Sequence, residues 1–152
     1  MSKQVTVLEL KARMKPRQRL LGMDPGTKTI GLALSDITFT VATPLEIIRR
    51  KRFKDDVARL EVLVAEHNIG GFIIGWPVNM DGSEGPRCQS VRAFSDNLGK
   101  VFDLPQVLWD ERLSTSAVER TLLEADSSRA RRKDVIDKMA AAYILQGALH
   151  AL

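Results

Sequence analysis

The stretch from Leu20 to Leu34 restricts the fold more than any other part of the chain. An apolar run, Leu20 to Met23, ends on Asp24, turns through Pro25 and Gly26, and resumes as a second apolar run from Ile30 to Leu34. Two short buried runs joined by a Pro-Gly turn predict a hairpin, which sets one carboxylate at a strand end beside flexible backbone. A carboxylate in that position can hold a cation, or it can cap the turn by accepting from a nearby N–H.

The pattern continues as a third strand, Val41 to Ile48, with Thr43-Pro44 marking an edge or an irregular start. A helix follows. Asp55 and Asp56 suit its first turn, Val57, Leu60, Leu63 and Val64 form its apolar face, and His67-Asn68-Ile69-Gly70 ends it. Gly71 to Trp76 has the composition of a central strand covered on both faces. Its exit, Pro77 to Pro86, is a polar loop placed where open α/β sheets bind ligands, so it is expected to border a cleft. A helix from Arg87 to Gly99 and a strand from Gln106 to Trp109 come next, and the strand runs directly into Asp110-Glu111-Arg112. Ser116 and Glu119 form a capping box for a further helix. Asp126 to Lys133 reads as a charged, turn-prone linker, and a last helix is predicted from near Asp134 to the end, with small residues Ala140, Ala141, Ala142 and Gly147 permitting close approach to a sheet. This order predicts an α/β domain whose mixed five-stranded sheet has three antiparallel N-terminal strands, then parallel strands, with flanking helices.

At 152 residues the chain can bury a sizeable core as one domain without disulfide or structural metal. Its single cysteine, Cys88, falls in a helical pattern with Val91, Phe94 and Leu98 and reads as a core thiol. No apolar run reaches the roughly 18 residues that span a bilayer, and no signal-peptide core is present at the start, so a cytoplasmic protein with no membrane partner is expected. The formal charge is +4, but residues 1–19 carry +5 and residues 20–152 carry −1. The expected division is therefore a mobile or weakly helical basic extension, residues 1–18, ahead of a domain at 19–152. Within the domain, Arg49-Arg50-Lys51-Arg52 with Lys54, and Arg129 with Arg131, Arg132 and Lys133, are local basic clusters. Either can track phosphates or simply be solvated; together with the arm they favour a phosphate-bearing partner.

Three acidic positions could make a reaction centre. Asp24 and the Asp110-Glu111 pair lie at or just past strand ends, and Asp137 is expected in the first turn of the last helix. If the two strands are neighbours and that helix packs across them, the three sites converge. Clustered carboxylates need a cation between them, because like charges raise each other's pKa, and hard oxygen ligands select Mg²⁺ or Mn²⁺. In two-metal phosphoryl transfer, ions roughly 3.5–4 Å apart serve the attacking water and the leaving oxygen. Each acid also has an ordinary explanation. Asp137 can favour a helix start, and Asp110 and Glu111 can pair with Arg112 or Lys138. Lys28 can contact a phosphate or be solvated; Arg112 can orient Glu111, bind the scissile phosphate, or both.

Four blocks in order, Asp24-Pro25-Gly26-Thr27-Lys28-Thr29-Ile30-Gly31, Gly75 to Ser83, Asp110 to Thr115, and Asp137 followed by Ala140-Ala141 and Ile144-Leu145, resemble the successive motifs of the YqgF/RuvX family over residues 20–150. That resemblance implies an RNase H-like fold related to Holliday-junction resolvases of the RuvC type, and nuclease activity in maturing the 5′ end of pre-16S rRNA. It implies that Asp24, Glu111 and Asp137 are metal-binding catalytic acids, with Asp110 a further candidate ligand, and that two Mg²⁺ or Mn²⁺ ions are the cofactor. Lys28, Asn79 and Arg112 are then the substrate-binding candidates. Many relatives carry an aromatic residue at the position of Pro25 and a Leu at that of Trp76; neither departure removes a ligand.

Other functions fit parts of the pattern. Asp-x-Gly-Thr before an apolar strand also resembles the first phosphate loop of actin-like and sugar-kinase ATPases, but no second phosphate loop follows. A module that binds structured nucleic acid without cutting it would not need all three acids. With aromatics at 5% of the chain, recognition by shape and phosphates is expected rather than base readout. The physical pattern alone fits pre-16S rRNA and branched DNA equally, and a monomer or a homodimer; the resemblance favours rRNA.

Overall fold

The computed structural model describes residues 4–77, 81–113 and 129–152, without the side chains of 113 and 129–138. Strand β1 (Arg19–Pro25) lies at the middle of a five-stranded sheet. β2 (Thr29–Ser35) and β3 (Ala42–Arg49) extend it on one side in antiparallel pairing, and β4 (Ile69–Trp76) and β5 (Gln106–Asp110) extend it on the other in parallel, giving the order β3-β2-β1-β4-β5. The mixed sheet and its flanking helices are those expected. The hairpin at Asp24 is tight: the Gly26 N–H donates to the Thr29 carbonyl at 2.8 Å.

Alternation along the strands divides the core into two layers. Leu21, Met23, Phe72 and Ile74 face one side, where they pack against α2 (Phe53–Glu66) and α3 (Pro86–Val101) through Leu60, Leu63, Val91 and Leu98. Leu20, Ile73 and Val107 face the other, against α1 (Val7–Arg13) and α4 (Arg129–His150) through Leu10, Ala141, Ile144 and Leu145. Burial on both faces explains why the strand sequences are continuously apolar rather than alternating. Cys88 is fully buried, and its Sγ–H donates to the Pro77 carbonyl.

Two parts differ from expectation. The N-terminal segment, read as a mobile or weakly helical extension, is helical over Val7–Arg13, and that helix is docked on the domain. Thr6 and Glu9 form a capping box for α1, Leu10 is completely buried, and the Val5 N–H donates to the Gln106 carbonyl at 2.8 Å. The Gln4 carboxamide reaches the Ser95 hydroxyl, which also bonds the buried Gln106 side chain. Leu10 anchors the segment, with Val5, Val7 and Met14 packed partly buried against the same core layer; the charged residues between them hide the i, i+3, i+7 spacing of Val7, Leu10 and Met14. The second difference is that α4 begins at Arg129, so residues 129–133 of the supposed linker have helical backbone. Arg, Lys and Ala are good helix formers, and charge excludes a residue from a core rather than from a helix. The helix expected after Ser116 lies outside the described residues.

Candidate active site at the carboxyl end of the sheet

β1, β4 and β5 are parallel, so their carboxyl ends, Pro25, Trp76 and Asp110, lie along one edge of the fold. β4 separates the strands bearing Asp24 and Asp110; they are not neighbours, as convergence would have required in its simplest form. Glu111 closes the gap. It opens a single 3₁₀ turn (Glu111–Leu113) directly after β5 and folds back over β4, where its Oε1 would lie 2.7 Å from a β-carbon built on Gly75. Only a residue without a side chain leaves that space. Gly75 itself is level with Trp109, because Ile74 pairs with Leu108 and Gly75 with Trp109.

Helix α4 supplies the roof. A β-carbon on Gly22 would lie 2.8 Å from Leu145 Cβ and 3.2 Å from the Ala141 carbonyl, and one on Gly75 would lie 2.7 Å from Ile144 Cδ1. Near the other end of the helix, the Gln146 carboxamide accepts from the Ala42 N–H at 2.9 Å and donates to the Thr40 carbonyl at 3.0 Å, next to the amino end of β1. α4 therefore runs antiparallel to β1, with its earlier turns toward Asp24. Asp24 is two residues on from Gly22 and shares its face of the sheet. Asp137 is one turn before Ala141. A helical turn of about 6 Å matches two strand residues of about 6.6 Å, which brings the backbone of Asp137 level with Asp24. Asp137 is not in a first turn, since it follows Arg129 by eight residues, and a helix-start role is removed. Its side chain lies outside the described residues, as does Asn79. Among the described residues no three His, Cys, Asp or Glu side chains form a metal-binding group.

Asp110 and Arg112 form one unit. Asp110 Oδ1 accepts from the Arg112 backbone N–H at 2.9 Å, and its Oδ2 accepts from Nη2 at 2.6 Å. The hydrogen-bonded guanidinium holds the Asp110 carboxyl below its ordinary range, and the carboxylate in turn raises the Arg112 guanidinium. Arg112 Nη1 also approaches Gly82, 3.6 Å from where its β-carbon would be, so the loop after β4 and the turn after β5 meet at this arginine. Gly82 has φ of +90°, a conformation that favours glycine.

Lys28 is exposed in the β1–β2 turn, and its carbonyl accepts from the Arg50 N–H at 2.9 Å. The Arg50 guanidinium donates to the Gly26 carbonyl at 2.6 Å and stacks 5.4 Å from the Phe94 ring centre. Sequence reasoning placed Arg50 only in a basic cluster; nothing local marks it as the residue that fixes the turn after Asp24. Gly75 was open to detection, because an isolated glycine inside an apolar strand signals close approach by another group.

A family model described as RuvX, Holliday junction resolvase, matches residues 18–151. The chain belongs to the RuvX family. RuvX relatives include a Paramagnetospirillum magneticum protein, 62% identical over 93% of this chain and 91% of its own, and a Roseobacter denitrificans protein, 59% identical over 91% and 86%. A Methylocella silvestris relative is 57% identical over 96% of this chain and 91% of its own. All three are named "Putative pre-16S rRNA nuclease". Among solved structures, Thermus thermophilus RuvC in complex with a Holliday junction substrate covers 88% of this chain and 94% of its own at a TM-score of 0.51 and 15% identity. At that identity the likeness concerns the fold, and the RuvX chain has the mixed sheet of the RNase H-like class.

Proposed function

We propose that this chain is a divalent-metal-dependent nuclease that hydrolyses phosphodiester bonds, with the 5′ end of pre-16S rRNA as its substrate. The observation that carries the proposal is the placement of Asp24, Glu111 and the helical position Asp137 at one end of the sheet, across β1, β4 and α4. Family membership and the names of the relatives support it. The donor set suits a hard cation: carboxylate oxygens, one of them seated over a glycine that leaves it room. Asp24, Glu111 and Asp137 would hold the Mg²⁺ or Mn²⁺ ions, which when bound supply an activated water and stabilise the leaving oxygen.

The chain's own groups do the rest. Asp110, whose oxygens are engaged by Arg112, acts by aiming that guanidinium toward the substrate phosphate, so its part is positioning rather than metal binding. Lys28 meets the phosphate backbone from the turn, and Asn79 contacts the substrate from the loop after β4. Branched DNA is the second reading, favoured by the family's description as a Holliday junction resolvase.

Cleavage of a pre-16S rRNA 5′ fragment and of a four-way DNA junction, assayed side by side with Mg²⁺, Mn²⁺ or EDTA, tests both readings. The expected result is metal-dependent hydrolysis of the RNA, lowered about a thousand-fold or more by Asp24→Asn, Glu111→Gln or Asp137→Asn with binding retained. Full activity in EDTA, or full activity of all three variants, would overturn the mechanism.

A further inference from the structure

A groove of about 230 Å³ opens beside the proposed centre, on the other face of β1. Pro25, Gly26 and Thr27 of the β1–β2 turn form one wall; Pro86, Arg87 and Ser90 of α3 form the other. Pro25 directly follows Asp24, and alternation sends the two side chains to opposite faces, so the groove and the carboxylate flank the same strand end. Both walls are fixed. Arg50 clamps the turn through the Gly26 and Lys28 carbonyls, and Val91 at the groove floor belongs to the buried core of α3.

We infer that this groove holds one nucleotide of the strand being cut, a neighbour of the scissile phosphate, with its base against Pro25, Pro86 and Val91 and its sugar–phosphate along Thr27, Ser90 and Arg87. The inference rests on the nuclease reading for the identity of the strand. Three features select a nucleotide. The volume lies below the roughly 300–1,000 Å³ of drug-sized sites and admits one base rather than a base pair. The surface is largely apolar with two hydroxyls and one guanidinium at its edge, which matches a π-face joined to an anionic backbone. The groove begins at Pro25, the residue after Asp24, so a strand passing over the end of β1 from the carboxylate's face reaches it. Because Thr27, Ser90 and Arg87 are the only polar side chains of the lining among the described residues, the subsite grips the base by shape and is tolerant of sequence.

The test uses the cleaved substrate with single abasic nucleotides placed on either side of the mapped bond, and measures Kd by anisotropy in EDTA as well as kcat and KM with metal. Wild type should lose about 5- to 10-fold in affinity for an abasic site at one position only. Ser90→Leu, an exposed helical position that tolerates the change, fills the groove; it should weaken the intact substrate by a similar factor, mainly in KM, and abolish the abasic penalty. Arg87→Ala should weaken binding while keeping that penalty. An abasic penalty equal in wild type and Ser90→Leu, or Ser90→Leu binding the intact strand as wild type does, would overturn the inference. Absence of any metal-dependent cleavage would instead defeat the nuclease reading, and the Kd comparison, made at every position of the strand, would still decide the groove.

Discussion

The Glu111 carboxylate occupies the space that a side chain at Gly75 would need: a β-carbon there would come within 2.7 Å of Oε1. Gly75→Ala should therefore push Glu111 away from the Asp24 side. A displacement of about 1 Å is expected to lower kcat roughly 100-fold. Gly22→Ala acts differently, because Leu145 Cβ and the Ala141 carbonyl are in its way and the helix itself must shift. Its expected cost is about 1–3 kcal/mol of stability. Chemical denaturation and single-turnover kinetics on both variants check the distinction, which fails if Gly75→Ala retains full activity.

Leu10 ties the N-terminal helix to the core. Leu10→Ala should destabilise the protein by about 2–4 kcal/mol, because the side chain is fully buried beside Leu20 and Gly71. Removing residues 1–13 should be at least as costly, since the pairing at Gln106 is lost as well. Thermal unfolding measures both; an unchanged Tm would show that the helix adds nothing.

Salt dependence should separate the two basic ends of the molecule. Lys28 and Lys51 are exposed at the end where β1 terminates, whereas Lys11 and Arg13 lie on the docked helix near the start of β5. Lys28→Ala and Lys51→Ala should each reduce the slope of log affinity against log salt by about one, and Lys11→Ala should leave it unchanged. A slope that responds only to Lys11 would place the nucleic acid at the opposite end.

Asp36 governs the acid response of the β2–β3 turn. Its carboxylate accepts from the Thr38 hydroxyl at 2.6 Å and from the Thr40 and Val41 N–H groups at 2.7 and 3.1 Å, and these bonds hold its pKa below the ordinary value. A depressed folded-state pKa stabilises the protein above the unfolded value of about 4, and that stabilisation is lost as pH falls through the folded value. Asp36→Ala should cost about 1 kcal/mol at neutral pH and flatten the stability profile below about pH 4. Identical acid profiles for variant and wild type would exclude this role.

Much of the fold was legible because burial on both faces leaves uninterrupted apolar runs, and turns are written in Pro, Gly and Asn. The same logic misjudged the two charged stretches. Around Leu10 the apolar stripe of Val7, Leu10 and Met14 spans only two helical turns and is interrupted by Lys and Arg, too short a pattern to show docking, and at Arg129 to Lys133 charge concealed helical backbone. The position of Asp137 changed with that boundary, from a helix start to a site level with Asp24.

By itself, the sequence determined which residues can carry the chemistry and which strand ends they follow, because local propensity and apolar patterning act over a few neighbours. Strand order, the seating of Glu111 over Gly75, the direction of α4 and the clamp from Arg50 to Gly26 were decided by tertiary structure alone. Each depends on close packing between segments distant in the chain, where the absence of one β-carbon or the reach of one guanidinium fixes the geometry, and no local pattern encodes such a pairing.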